Sequence, residues 1–412
     1  MKIKAFKGFR PVAEKVKDVA SRPYDVLNTE EAREVAKGNP LSFLNVVKPE
    51  ITLPPETDHY SMEVYEAGKN NFDKLVKEGV FAQDKDECLY IYELTMNGRS
   101  QDGIVACASV EDYMEGRIKK HELTRPDKET DRKNHVRISM MHAEPVFFAY
   151  PARATLDEIV ETIKKAKPVY SFTSDDEIRH RFWVVNDTTQ IQAIINAFEK
   201  MPATYVADGH HRTAAAALVG NDLRRENPNH TGNESYNCFL AVHFPDNQLT
   251  ILDYNRVVKD LNGNSPESLL TGLEKSFEIK KKGKNAYRPS HLHEFGMYLD
   301  GEWYALEAKP GTYDDNDTIG ILDVTILSEK VLKPLLDIHD LRTDKRIDFV
   351  GGMRGLKELE RRVDSGEMAV AFALHPVSMK QLTDIADSDE IMPPKTTWFE
   401  PKLRSGLVVH KF

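Results

Sequence analysis

The stretch Ala203–Ala217 reads ATYVADGHHRTAAAA and decides the fold of the middle of the chain. Its apolar start, Ala203–Ala207, is typical of a buried strand, and its alanine-rich end predicts a helix over about His211–Val219. Only Asp208 and Gly209 separate the two elements. The first backbone N–H groups of a helix have no partner within it, and they carry partial positive charge. The junction therefore predicts a binding site for an anion such as phosphate.

The side chains at this junction fit the same chemistry. Gly209 has no Cβ, so a phosphate can approach its backbone closely. Arg212 offers a charge-assisted fork, His210 and His211 offer further donors, and Asp208 is suited to hold Mg²⁺ between phosphates. The plain structural alternative is that Asp208 caps the helix and the histidines are surface groups. Adjacent helix positions diverge by ~100°, so the two histidines are poorly placed to chelate one metal ion.

Outward from this stretch, alternating strands and helices predict a mixed α/β protein. A length of 412 residues predicts two or three domains. We expect an N-terminal α/β segment over 1–110, a nucleotide-binding core over 111–260 with a helical insertion at about 152–202, and a C-terminal α/β domain over 261–412. We also expect a strand at Phe43–Val47, a hairpin around Asp300-Gly301 and a helix over Asp323–Leu336.

Composition excludes several classes of protein. With 56 basic and 66 acidic residues the net charge is −10, so a broad nucleic-acid footprint is not expected. No run approaches the ~20 apolar residues of a membrane span, and Met1–Pro11 lacks the apolar core of a signal peptide. We therefore expect a cytoplasmic protein without a nucleic-acid or membrane partner. Three isolated cysteines, Cys88, Cys107 and Cys238, argue for reduced thiols rather than a disulfide scaffold or a structural zinc site.

Three other stretches carry residues with chemical potential. His121–Pro126 holds Glu122, a carboxylate suited to orient a hydroxyl, although most such residues are solvated surface groups. Pro393–Thr397 reads PPKTT, a stiff loop whose lysine and threonines are good ligands for phosphate or carboxylate, or else an ordinary loop. Arg256 is suited either to an anionic substrate group or to an acidic neighbour. Arg22–Asp25 is equally ambiguous.

These motifs, in this order, resemble the free serine kinases of the ParB/sulfiredoxin-like superfamily. In those kinases a His-Glu pair, a Pro-Val segment, a DGHHR run and a PKTT loop follow one another, as do His121-Glu122, Pro145-Val146, Asp208–Arg212 and Pro394–Thr397 here. Over its full length the chain resembles the family known as domain of unknown function number one thousand and fifteen, whose RPYDV and DGHHR runs it shares.

The resemblance implies a ParB/sulfiredoxin-like nucleotide-binding core and a role for each matched residue. By position, Glu122 matches the catalytic glutamate, with Asp208 and His211 as further catalytic candidates and Asp208 as the Mg²⁺ ligand. The nucleotide phosphates would be bound by Gly209, His210, His211, Arg212 and Thr213. The matched loop residues Lys395, Thr396 and Thr397 are acceptor candidates, and Arg256 is a further acceptor candidate on its chemistry alone.

The implied activity is transfer of a phosphoryl group from ATP or ADP, with Mg²⁺, to a small hydroxylated metabolite, plausibly L-serine. The alternatives are a regulatory protein that binds a nucleotide without turnover and a scaffold with a degenerate pocket. The first 110 residues and the insertion have no counterpart in the short kinases.

Overall fold

A computed structural model describes all 412 residues and divides them into two compact units. Unit 1 comprises Met1–Leu249 and Pro401–Phe412, and unit 2 comprises Thr250–Glu400. The expected boundary at residue 110 therefore falls inside unit 1, and the end of the expected third segment belongs to unit 1. Strands from both sides of residue 110 hydrogen-bond in one sheet, which leaves no place for a boundary there. Both units mix helices and strands, which confirms the predicted α/β class.

The strands are β1 Ile3–Lys4, β2 Phe9–Pro11, β3 Phe81–Gln83, β4 Leu89–Met96, β5 Arg99–Ser109, β6 Ile118–Lys119, β7 Met141–His142, β8 Val146–Tyr150, β9 Tyr170–Thr173, β10 Arg179–Val185, β11 Thr204–Asp208, β12 Cys238–Pro245, β13 Tyr254–Val258, β14 Phe277–Gly283, β15 Glu294–Leu299, β16 Glu302–Ala308, β17 Ile347–Gly351, β18 Val370–Leu374 and β19 His410–Lys411.

The α-helices are α1 Val16–Val19, α2 Thr29–Ala36, α3 Leu44–Val47, α4 Met62–Lys77, α5 Val110–Met114, α6 Pro126–Ser139, α7 Ala154–Lys164, α8 Thr188–Glu199, α9 His210–Glu226, α10 Pro266–Leu273, α11 Asp323–Leu327, α12 Gly355–Asp364 and α13 Met379–Asp387. Short 3-10 turns occupy Ala13–Lys15, Tyr24–Val26, Pro49–Thr52, Ser235–Asn237, Asp246–Gln248 and Gly352–Arg354, and a π-turn occupies Ser328–Leu332. No helix combines the length and apolarity that crossing a bilayer requires.

A nine-stranded mixed sheet forms the frame of unit 1. Its order is β6-β11-β8-β12-β5-β4-β10-β9, with β1 added on β5. Strand β8 lies between β11, which is antiparallel to it, and β12, which is parallel. Helix α9 packs on β8, β11 and β12 and also contacts α6. The sheet and α9 thus fix the strand–glycine–helix junction inside unit 1.

Four expectations from the sequence need correction. Phe43–Val47 is not a strand, since Leu44–Val47 forms a short helix. The prediction was wrong because periodicity does not distinguish a strand from a helix in a short apolar run. The insertion at 152–202 is not wholly helical, since β9 and β10 extend the large sheet between α7 and α8. The helix expected over Asp323–Leu336 is α-helical only to Leu327 and continues as a short π-helix over Ser328–Leu332.

The fourth correction concerns the cysteines. All three are buried and free, as expected, but they are not all isolated. Cys107 pairs with Leu240 and Cys238 pairs with Ser109 across β5 and β12. Because side chains two residues apart on a strand share a face, Cys107 and Cys238 are diagonal neighbours on one face.

Unit 2 is built on a six-stranded antiparallel sheet in the order β14-β16-β15-β18-β13-β17. The hairpin predicted around Asp300-Gly301 is present as β15 and β16. Helix α12 packs on strands β15, β18 and β17 of this sheet. The apolar core beneath it includes Trp303 and Leu359, which are fully buried.

Gly220 provides a stability test of the packing that positions α9. An added Cβ would lie 2.4 Å from the backbone oxygen of Tyr236 and 2.9 Å from Val110. Gly220→Ala should therefore lower the free energy of unfolding, because an overpacking cost of ~1–3 kcal/mol outweighs the helix-propensity gain of about 1 kcal/mol. Thermal unfolding measures the effect. The control is Gly272→Ala, whose Cβ would meet only the side chain of Leu335; equal stability losses would contradict the account.

Candidate active site

The backbone of the DGHHR stretch forms an open helix start at the edge of the sheet. A bulge between Val206 and Asp208 bends the end of β11, and Gly209 adopts φ 90° and ψ 37°, a left-handed conformation that glycine favours. Helix α9 begins at His210, one residue earlier than predicted. Its first intrahelical bond runs from Thr213 N–H to Gly209 O at 2.9 Å, and no side chain caps the helix. The N–H groups of residues 210–212 therefore precede the hydrogen-bonded ladder.

Arg212 is buried beneath this helix start. Its Nη1 donates to Pro145 O at 2.8 Å, and its Nη2 lies 3.5 Å from Asp208 Oδ2 and 3.6 Å from Asp25 Oδ2. A Cβ on Gly209 would lie 3.1 Å from Arg212 Nε. Burial would lower the pKa of Arg212, but Asp25, Glu144 and Asp208 outweigh it and raise that pKa. Arg212 is thus a fixed buried cation whose position requires glycine at 209.

Asp208 faces two cations. Besides Arg212, Lys402 Nζ lies 3.3 Å from Asp208 Oδ2. Burial would raise the pKa of Asp208, but Lys402 and Arg212 outweigh it and hold the pKa below its usual value. Asp208 is therefore ionised at neutral pH, as a metal ligand must be. Sequence reasoning missed Lys402, which comes from the C-terminal part of unit 1, 194 residues from Asp208.

Two histidine rings and Glu122 form the adjoining wall. The rings of His121 and His210 meet edge to face with centroids 4.5 Å apart, and His210 Nδ1 lies 3.7 Å from Glu122 Oε2. Burial lowers the pKa of His121 to about 4. Burial, with help from His121, lowers the pKa of His210 well below its usual value. Both rings are therefore neutral, and His210 Nε2 is buried without a hydrogen-bond partner. The Glu122 side chain is 43% exposed and so accessible to a ligand.

His211 links the starts of two helices. Its Nε2 accepts the backbone N–H of Arg125, the residue before α6, at 3.0 Å. Burial lowers the pKa of His211, so the neutral ring carries its proton on Nδ1. This bond joins the loop after Glu122 to the first turn of α9, and the predicted catalytic and phosphate-binding segments become neighbours through it.

These groups line one open cleft of about 310 Å³. Its lining residues are Tyr24, Asp25, Glu122, Asp208, Gly209, His210, His211 and Arg212. The sequence predicted six of these as site residues and left Tyr24 and Asp25 undecided. They are held by the hydrogen bond from Tyr24 N–H to Glu144 Oε1, 3.0 Å long, and by Arg132, whose guanidinium stacks 4.1 Å from the centre of the Tyr24 ring. The predicted Thr213 is fully buried and bonds Gly209 O through its hydroxyl, so its side chain supports the turn.

The acceptor candidates lie in unit 2. Arg256 is 1% exposed, and its guanidinium donates to the carbonyls of Tyr254 and of Lys395, the latter at 2.9 Å. Burial lowers the pKa of Arg256 to about 10. Thr396 Oγ1 donates to Pro393 O at 2.6 Å. Arg256 therefore holds the PKTT loop, which includes Thr397, through its backbone; a contact of these residues with substrate remains a prediction.

Comparison with known proteins identifies one family. The profile described as "Protein of unknown function (DUF1015)" matches residues 3–325. No curated protein matches the chain significantly.

Two solved structures show distant likeness. A truncated SbnI from Staphylococcus aureus has a TM-score of 0.40 and 10% identity over 73% of this chain and 85% of that one. A free serine kinase variant in complex with AMP has a TM-score of 0.36 and 10% identity over 72% and 86%. At these TM-scores the likeness carries no argument about function.

The buried neutral histidines predict a stability loss in mild acid. The folded protein holds the pKa of His121 and His135 at about 4, against 6.5 for ordinary histidine. Unfolding lets these rings take up protons, so the stability they contribute is complete above pH 6.5 and is lost as pH falls toward 4. Each should contribute roughly 2 kcal/mol of loss between pH 7 and pH 5. Thermal unfolding across this range measures it; an unchanged midpoint down to pH 5 would contradict the assignment.

Proposed function

The chain belongs to the DUF1015 family of proteins of unknown function, and we propose that it transfers a phosphoryl group from ATP or ADP to a small hydroxylated metabolite, plausibly L-serine. One observation carries the proposal: a half-exposed carboxylate, Glu122, and an open helix start with a buried arginine line the same cleft. Phosphoryl transfer requires a phosphate cradle beside a group that orients the acceptor hydroxyl.

The phosphates would lie at the start of α9. The N–H groups of residues 210–212 and the helix dipole offer partial positive charge, and Arg212 adds a full charge beneath them. His210 and His211 are neutral, so each ring can donate a hydrogen bond to a phosphate without adding a fixed charge. This arrangement suits the terminal phosphates of a nucleotide.

Charge balance calls for a divalent cation. Asp25, Glu122 and Asp208 line the cleft, and a nucleotide would bring further negative charge to Arg212 and Lys402. Mg²⁺ bound to Asp208 would bridge the phosphates and relieve that repulsion. Binding at Asp208 would require Lys402 to turn from the carboxylate toward a phosphate oxygen, a move of one flexible side chain.

Glu122 would act on the acceptor. A carboxylate is a weak base toward an alcohol, so its role would be to orient the hydroxyl and accept the proton late in the transfer. Arg256, Lys395, Thr396 and Thr397 remain the proposed residues for the rest of the acceptor. Lys395, Thr396 and Thr397 match the kinase pattern in sequence, Arg256 is proposed on its charge alone, and the carboxylate of an amino acid is the kind of group that such residues bind.

A second candidate is a regulatory protein that binds a nucleotide without turnover. The ion pair between Lys402 and Asp208 favours it, because a lysine can supply in place the positive charge that a bound Mg²⁺ would bring. Glu122 separates the two candidates, since a pure binder has no use for an accessible carboxylate beside the phosphates.

We expect Arg212→Lys to weaken nucleotide binding. Lysine keeps the charge but lacks the guanidinium fork that donates to Pro145 O and faces Asp25 and Asp208. The loss of nucleotide-binding free energy should be ~2 kcal/mol, about 30-fold in Kd. Calorimetric titration with ADP and with ATP, each with Mg²⁺, measures it. Arg224→Ala, which changes an exposed arginine of the same helix, is the matched control. Equal affinities for both variants and the wild type would remove Arg212 from the phosphate site.

We expect Glu122→Gln to separate catalysis from binding. The glutamine keeps the shape but cannot accept a proton, so turnover should fall by ~10²–10⁴-fold while nucleotide affinity changes little. The assay supplies ATP or ADP, Mg²⁺ and a panel of hydroxylated amino acids, with mass spectrometry of O-phospho products. Glu115→Gln, an exposed change outside the cleft, is the control.

The outcomes of this assay divide the candidates. A wild type that binds nucleotide but phosphorylates nothing in the panel supports the regulatory reading. A wild type that binds neither ATP nor ADP overturns the proposal as a whole.

A further inference from the structure

A second cluster of ligand-type residues lies in unit 1, outside the cleft. The side chains of Cys107, Cys238 and His410 bring one ligand atom each to within 4.8 Å of the others, and all three residues are buried. They come from β5, β12 and the terminal strand β19. Around one tetrahedral zinc, with bonds of about 2.0–2.3 Å, ligand atoms lie roughly 3.5 Å apart. Side-chain shifts of about 1 Å would therefore close this cluster on an ion.

His142 supplies a fourth ligand atom beside the cluster. Strand β7 pairs His142 with His410, and their Nδ1 atoms lie 3.1 Å apart. That separation is close to the roughly 3.3 Å between two nitrogens on one tetrahedral zinc. The two Nδ1 atoms share one hydrogen bond, which binding of both rings to one ion would replace. His142 lies outside the 4.8 Å group, so its nitrogen would have to approach the thiols.

The charges and surroundings select the ion. Both rings are buried, and the neutral imidazole is the form of histidine that binds a metal ion. Two thiolates balance Zn²⁺, so the filled site would be neutral, as an apolar interior requires, whereas Cu⁺ would leave a net negative charge. Phe6, Phe239 and Phe412 contact the two imidazoles and exclude water.

We propose that Cys107, Cys238 and His410, with His142 as fourth ligand, form a buried Zn²⁺ site that fastens the terminal strand to the large sheet. The ion would bind as Zn²⁺ to two thiolates and two neutral imidazoles, and two thiol protons would leave to solvent. The site would also fix the segment 401–412, which brings Lys402 to Asp208. It does not depend on the proposed phosphoryl transfer.

Full-length protein tests the proposal through its metal content and spectrum. Protein purified from zinc-supplemented medium should hold roughly one zinc per chain by mass spectrometry, and chelation should lower the thermal midpoint. Cobalt added to the chelated wild type should produce a thiolate-to-cobalt charge-transfer band, which added zinc abolishes.

Variants locate the site. Cys107→Ser and His410→Asn should lose the zinc and the cobalt band, while Cys88→Ser, which alters the one buried cysteine that is not a proposed ligand, should keep both. The cobalt titration of wild type remains decisive if a variant fails to fold. Zinc-free wild type without a cobalt band overturns the proposal, as does a band that persists in Cys107→Ser.

Discussion

The buried charge of Arg212 constrains several segments of unit 1 at once. A guanidinium out of water is tolerated only where carboxylates and carbonyls surround it, and removing one partner of a buried pair is costly. Its partners come from three separate segments: Asp25 near the start of the chain, Glu144 and Pro145 before β8, and Asp208 at the end of β11. The turn at Gly209, the bulge in β11 and the start of α9 lie where these segments meet around one cation.

That arrangement also explains the chemistry of the cleft. Arg212, which its carboxylate and carbonyl partners hold in place, lies in the first turn of a helix whose first N–H groups have no partner within the helix. Burial keeps His121 and His210 neutral, so the positive charge is concentrated in Arg212, Lys402 and the helix start. Asp208 contacts both side-chain cations, and Glu122 lines the same cleft. Positions suited to phosphate, metal and acceptor therefore occur within one small volume.

The sequence predicted the parts of this site whose signals are local. An apolar strand, a glycine and an alanine-rich helix are adjacent in Ala203–Ala217, and Glu122 follows His121 in a motif that the kinases share. Lys402 and the role of Asp25 were not predictable in this way, because Lys402 comes 194 residues after Asp208 and Asp25 comes from near the start of the chain. The proximity of Cys107 and Cys238 likewise depends on the register of β5 against β12, which the spacing of cysteines in the sequence does not reveal. The strand expected at Phe43–Val47 was wrong because burial on every side removes the periodicity that separates strand from helix.

The central claim is that the start of α9 binds the phosphates of a nucleotide. A crystal structure of the full chain with ADP and Mg²⁺ tests it most directly. The account predicts phosphate oxygens within hydrogen-bond distance of the N–H groups of residues 210–212 and of Arg212, with Mg²⁺ on Asp208 and Lys402 turned away from it. A structure in which ADP is bound with its phosphates elsewhere, and the Lys402–Asp208 ion pair intact, would contradict it.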